Sequence, residues 1–295
     1  MNSRSEMSGT PSGTKCSVLF AVALMCEAQP LIKRLNLLHQ VSAHGFRLYY
    51  SAEQQTALLV TGCGRNAMAA GLMWARSCFV SINVFINVGS AGHGSFSLGE
   101  CVLINKVSEH SSGKTYYPPI LSKWGQKFSM LQTVDKPSDN YHQSLAYDME
   151  ASAFLSTARR LVNAEQAQVI KVISDNPAND YRQLNAAKLT ELIDENCATI
   201  IEFSRQQTEL LTESDIAVDE AMLEKMHAHW HITVSQHQQL LTLLSSKAVL
   251  QQFALTQEPE WQSFSKVKHY MAELQAWLLD CAPRLSVPSK SKVRS

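Results

Sequence analysis

Hydrophobic and polar positions along the chain fall into two regimes. In the first, five short apolar runs recur: SVLFAVALM, TALLVTG, INVFINVG, ECVLINKV and AQVIKVIS. They are continuous rather than alternating, which predicts strands covered on both faces. Between them, RNAMAAGLMWARSCF and DMEASAFLSTARRLV carry apolar residues at helical spacing. Strands alternating with helices predict an α/β fold with a mixed, largely parallel central sheet flanked by helices. A long amphipathic pattern follows in YRQLNAAKLTELIDENCATIIEFSRQQTELL, where Leu184, Leu189, Leu192, Ile193, Ile200 and Ile201 keep helical spacing.

Beyond about residue 212 no strand pattern appears. The segments DEAMLEKMHAHWHITVSQHQQLLTLLSS and EWQSFSKVKHYMAELQAWLLD are Gln-, Leu- and His-rich and helical in pattern. The predicted organisation is a disordered Ser/Gly-rich start (1–14), an α/β domain (15–210), an all-helical extension (211–285) and a flexible basic tail (286–295).

Composition narrows the partners. The chain has 295 residues, is 45% hydrophobic and carries a formal net charge of zero, so a full core is affordable in length. No global charge draws it to nucleic acid or to a membrane surface. Seven cysteines are scattered without a CxxC pair, which predicts reduced, structural thiols and no thiolate zinc site. The run CSVLFAVALMC is too short to span a bilayer and leads into EAQPLIKRL, a helix start. A first buried strand in a cytoplasmic protein is expected there, not a secretion signal. HAHWH places His227 and His231 one helical turn apart, but without a HExxH glutamate or a cysteine cluster no metal is expected.

Four stretches carry candidate chemistry. TGCGRNAMAAG joins a strand to a helix, yet no carboxylate follows about 20 positions on to hold a dinucleotide ribose. A tight turn at Gly62 and Gly64 explains it. INVGSAGHGS ends an apolar run with Gly89, Gly92 and Gly94, where a parallel sheet delivers ligands. Glycines there allow positive φ and let backbone N–H groups converge on an oxygen or anion. YDMEASAF puts Glu150 in the expected first turn of a helix capped by Asp148. An ionised carboxylate there could accept both hydroxyls of a ribose diol, with Met149 as apolar surface. AQVIKVISDNP carries a strand into Asp175, an acid at the same sheet edge.

In this order, ALMCEAQPLI, TGCGRNAMAAG, NVGSAGHG, DMEASAF and VISD resemble the nucleoside phosphorylase and nucleosidase superfamily. The style is most similar to the 5′-methylthioadenosine/S-adenosylhomocysteine nucleosidases, over roughly residues 16 to 205. The resemblance implies that Asp175 protonates the departing purine at N7 and that Glu27 orients the attacking water. It implies that Met149 and Glu150 contact ribose, and that Ser90, Ala91 and Gly92 lie beneath the sugar. It also implies a small-molecule nucleoside ligand, no cofactor, and a homodimer or larger homo-oligomer. Against the family plan, Glu27 stands alone, His93 replaces a glycine, the stretch from His110 to Ala146 is short, and the helical extension is additional. Phe96, Tyr116, Tyr117 and Trp124 are candidates to stack on a base.

The expected activity is hydrolysis of a purine ribonucleoside, including 5′-thio-substituted ones. A phosphorylase is the alternative, with Arg65 in GCGRNA as the one residue there to support a phosphate. A non-catalytic nucleoside-binding or scaffold module, and more remotely a nicotinamide enzyme, stay open.

Overall fold

The computed structural model describes residues 14–137, 141–214, 220–233, 235–237, 239–241, 243–244 and 259–281. The expected disordered start (1–14), apart from Thr14, and the expected flexible tail (286–295) lie outside these residues. By its packing the chain divides after Leu211 into two compact units.

The first unit holds ten strands. They are β1 (Lys15–Val22), β2 (Leu38–Ala43), β3 (Phe46–Ser51), β4 (Thr56–Val60), β5 (Ser81–His93), β6 (Cys101–Glu109), β7 (Thr115–Tyr116), β8 (Lys127–Thr133), β9 (Leu145–Asp148) and β10 (Ala167–Asp175). Its helices are α1 (Met25–Arg34), α2 (Arg65–Cys78), α3 (Ala151–Ala158) and α4 (Ala186–Ser214). All five apolar runs are strands. At the centre β4, β1, β5 and β10 run parallel. Alternate residues of β1 feed two cores: Leu19 and Ala21 pack with residues of α2 and α3, and Val18, Phe20 and Val22 with residues of α1 and α4. Burial on both faces is why no polar alternation marks these strands.

Long β5 organises the sheet. Its first half pairs with β1 and its end with β9, while β10 lies along its other side. Because β10 pairs β6, β6 pairs β8 and β8 pairs β9, these five strands close on themselves. The carboxyl ends of β1, β5 and β10 therefore meet at one edge, beside the mouth of the closed part.

Three sequence expectations need correction. INVGSAGHGS does not turn after Gly89, because β5 continues to His93 and none of Gly89, Gly92 or Gly94 has positive φ. Helix α3 begins at Ala151, so Glu150 is its N-cap rather than a first-turn residue; Tyr147 and Asp148 are held in β9 by β5 and β8. Tyr181–Gln183 is a separate short turn, and α4 starts only after Asn185, whose side chain accepts the Lys188 N–H. The hairpin β2–β3 went unread, although His44 and Gly45, both at positive φ, mark its turn.

The second unit is helical in its described residues, with α5 (Glu220–His229) and α6 (Val267–Cys281). Met226, Trp230, Leu240, Leu244, Val267, Tyr270 and Leu274 form its own core. Trp230 stacks on Tyr270 at 5.6 Å and donates its indole N–H to the Phe264 carbonyl at 3.0 Å. His227 meets His237 at 2.8 Å rather than His231. Among the described residues no helix is long and apolar enough to cross a membrane, and no group of three metal-ligating side chains occurs.

Candidate active site

Glu27 is placed by the start of α1. Its Oε2 accepts the Leu24 N–H at 3.0 Å, folding back on the start of the helix, and its Oε1 accepts both the N–H and the hydroxyl of Ser90 at 2.8 Å. The side chain is buried, yet Oε2 keeps one acceptor position for a further donor. Pro30 lies inside α1 and has no N–H for the Cys26 carbonyl; the Thr190 hydroxyl on α4 lies 3.0 Å from that oxygen and 2.9 Å from the Ala186 carbonyl, so its one proton is shared between them. The helix that carries Glu27 is thereby tied to α4.

The glycines of β5 serve close approach, not turning. A Cβ on Gly89 would stand 3.3 Å from Glu27 Oε1 and 3.4 Å from Lys171 Nζ. On Gly92 it would collide with the Asp175 carboxyl and the Tyr141 ring, and on Gly94 it would meet the His142 carbonyl at 2.5 Å. Gly89 and Gly92 thereby let ionisable groups from α1 and β10 reach the strand, and Gly94 admits the backbone at His142. Gly62 and Gly64 do need their freedom, with φ of 86° and 95°. The turn they make aims the Gly64 N–H at Glu150 Oε1, at 2.7 Å.

Glu150 is 8% exposed. Burial pushes its carboxyl up to about 7, with Asp148 adding to the rise and Lys171 and the Gly64 N–H opposing it. The helix dipole expected to keep this carboxylate ionised is therefore opposed by burial, which is the larger influence on it. Asp148, two residues before the α3 N-cap, accepts the Ala151 N–H at 2.8 Å and the Thr133 hydroxyl at 2.7 Å. Lys171 Nζ lies 2.9 Å from Asp148 Oδ2, with both side chains 1% exposed. Burial alone would lower the Lys171 ammonium; Asp148, Glu150 and Glu27 outweigh it and hold it above its ordinary value.

Asp175 ends β10, buried, with Ser174 Oγ donating to Oδ1 at 2.5 Å and the Tyr141 hydroxyl donating to Oδ2. A cavity of about 260 Å³ opens where these groups meet, and Glu27, Ser90, Ala91, Gly92, Met149, Glu150 and Asp175 all line it. Seven residues predicted from four distant stretches thus share one space. Arg65 does not: its guanidinium is engaged by Glu109, by Asp135 at 2.5 Å and by the Ser111 hydroxyl at 3.0 Å, away from the cavity. That arginine is already neutralised, which removes it as a phosphate contact.

The four aromatic residues expected near a base are elsewhere. Phe96 stacks on His93 at 3.9 Å, Trp124 packs edge-on against Phe203 and Tyr116 lies near Arg159, while Tyr117 is exposed. His93 is buried, accepts the N–H groups of Ser95 and Phe96 on Nδ1, and is pushed down by that burial. The aromatic side chains that do line the cavity are Tyr141, Tyr147 and Tyr181. The short His110–Ala146 stretch supplies Tyr141, together with Val134 and Pro137.

No protein-family model matches the chain, and no curated protein sequence does. Solved structures match its first unit's architecture. A 5′-methylthioadenosine/S-adenosylhomocysteine (MTA/SAH) nucleosidase from S. pneumoniae, with a transition-state inhibitor, superposes with a TM-score of 0.53 at 18% identity; 65% of this chain and 99% of that one are covered. The Neisseria meningitidis nucleosidase, in complex with methylthio-immucillin-A, gives 0.51 at 17% identity over 65% and 99%. The fold is that of the MTA/SAH nucleosidases. The Arabidopsis thaliana 5′-methylthioadenosine nucleosidase agrees, at 0.50 and 16% identity over 68% and 95%. At such identities the likeness is one of fold. What the MTA/SAH nucleosidase fold contributes here is a sheet edge where β1, β5 and β10 end together.

Proposed function

We propose that the chain hydrolyses the N-glycosidic bond of a purine ribonucleoside, with 5′-thio-substituted nucleosides as the candidate substrates. One observation carries this reading: Glu27, Ser90, Glu150 and Asp175 line a single cavity sized for a small ligand. Breaking the bond builds positive charge on the ribosyl group and negative charge on the base, as in inverting glycoside hydrolysis. In this reading Asp175 gives a proton to the leaving purine. Glu27, aimed by Ser90 and Leu24, orients water toward C1′ and takes its proton. Glu150 accepts the ribose diol, and Met149 covers the sugar. Carboxyl groups around the ribosyl carbon favour its developing charge.

The acidic lining speaks against phosphate as nucleophile, since Glu27, Glu150 and Asp175 border the same cavity and Asp148 already takes up the Lys171 charge. A second reading, a nucleoside-binding module without turnover, draws support from the Tyr141 hydroxyl on Asp175, where a base would have to bind. The test is a panel of methylthioadenosine, adenosine, inosine and uridine, with and without phosphate, followed by chromatography of free base. Release from purine nucleosides without phosphate is expected. Release only with phosphate would make the chain a phosphorylase, and binding without release would make it a binding module.

A further inference from the structure

Lys171 is the only buried lysine or arginine among the described residues. It sits within β10, opposite Gly89 of β5 and Val102 of β6, between the apolar pairs Val169–Ile170 and Val172–Ile173. Three carboxyl groups from three elements cluster here: Asp148 of β9 lies 2.9 Å from the ammonium, Glu27 of α1 approaches Gly89 on the same side as the ammonium does, and Glu150 at the N-cap of α3 lines the same cavity as both. One positive charge against three negative ones leaves an excess that a buried space tolerates poorly.

Hydrogen bonds rank the three. Asp148 has the Thr133 hydroxyl, the Ala151 N–H and Lys171; Glu27 has Ser90 twice and Leu24. Glu150 has the Gly64 N–H, and it is the group that burial drives toward neutrality. A neutral carboxyl loses an acceptor position, and a diol needs two. Whether Glu150 can hold a sugar thus depends on how much of the ammonium's field Asp148 leaves to it.

We propose that Lys171 is a positioning residue: held by Asp148, it supplies the counter-charge that lets Glu150 act as a carboxylate acceptor for a ribose diol. The identity of that ligand rests on the function proposed above; the electrostatic relation among Lys171, Asp148 and Glu150 does not.

The experiment is a ¹³C-carboxyl NMR titration of Glu150 in the full chain, assigned with Glu150→Gln and repeated in Lys171→Met, Lys171→Arg and Asp148→Asn. The pH profile of kcat/KM for base release is measured in parallel. Lys171→Met is expected to raise the Glu150 midpoint by at least about one pH unit, a tenfold change in its ionisation, and to carry the acid limb of the profile with it. Lys171→Arg restores both. Asp148→Asn moves the midpoint down, because it removes a like charge beside Glu150 and leaves the ammonium unshared. An unmoved midpoint in folded Lys171→Met overturns the proposal, as does a midpoint that Lys171→Arg fails to restore. If Lys171→Met does not fold, an unmoved midpoint in Asp148→Asn overturns it equally. Midpoints that move as expected in a chain that releases no base leave the inference standing and remove the nucleosidase reading.

Discussion

In the proposed function Glu150 accepts hydrogen bonds from a sugar while lying almost out of water, and that burial has a consequence for stability. Its folded pKa of about 7 lies above the ordinary 4.5. The folded state therefore holds the proton more tightly than the unfolded chain, and stability present below pH 4.5 is lost as pH rises through 7. Glu150→Gln removes that loss. It is expected to stabilise the protein at pH 8 by up to about 3 kcal/mol, at about 1.4 kcal/mol per pH unit, and to change little at pH 4. Calorimetry at both pH values checks this; destabilisation at pH 8 would show that Glu150 is held as a satisfied carboxylate. Gly92 has a steric role. Gly92→Ala forces Asp175 or the Tyr141 ring to move, and a displacement near 1 Å is worth roughly a hundredfold in rate. Base release by the alanine variant at wild-type rate would show that the site tolerates a looser fit. At this scale the acidic residues were legible because short motifs carry them. Lys171 was legible too, as a charge inside an apolar strand, but went unread. Tyr141 left no trace, since one tyrosine in a polar loop has no pattern.

Among the elements, β5 and α1 decide the geometry. Strand β5 was recognised by its apolar run, but its glycines suggested a turn; only the neighbours Glu27, Asp175 and His142 reveal that the missing side chains make room. The strands that close the ring, β8 and β9, were not read, because β9 has four residues and its pairing partners lie far off in sequence. Helix α1 was read from its start alone, and its link to α4 runs through the proline defect at the Cys26 carbonyl, which the Thr190 hydroxyl reaches. Thr190→Val is expected to leave the Cys26 carbonyl unpaired and to cost about 1 kcal/mol, read as a lower urea midpoint. Because Glu27 rides on that helix, base release should fall with it. An unchanged midpoint would mean that water serves the carbonyl as well as Thr190 does.

For the molecule, the change of pattern near residue 212 coincides with the division into two compact units, each with its own core. The cavity is lined by residues of the first unit only. A chain ending at Ser214 is therefore expected to unfold cooperatively and to release base at the rate of the full chain; an insoluble or inactive product would tie the site to the helical unit. The central claim, that one cavity joins an acid, a water-orienting carboxylate and a ribose acceptor, meets its most direct test at Asp175. Phosphate-free release of adenine from methylthioadenosine is compared between wild type and Asp175→Asn, with nucleoside binding measured on both. A general acid contributes about 10²–10⁴-fold, so the variant should lose that much rate and keep its affinity. Equal rates in the two proteins would contradict the account.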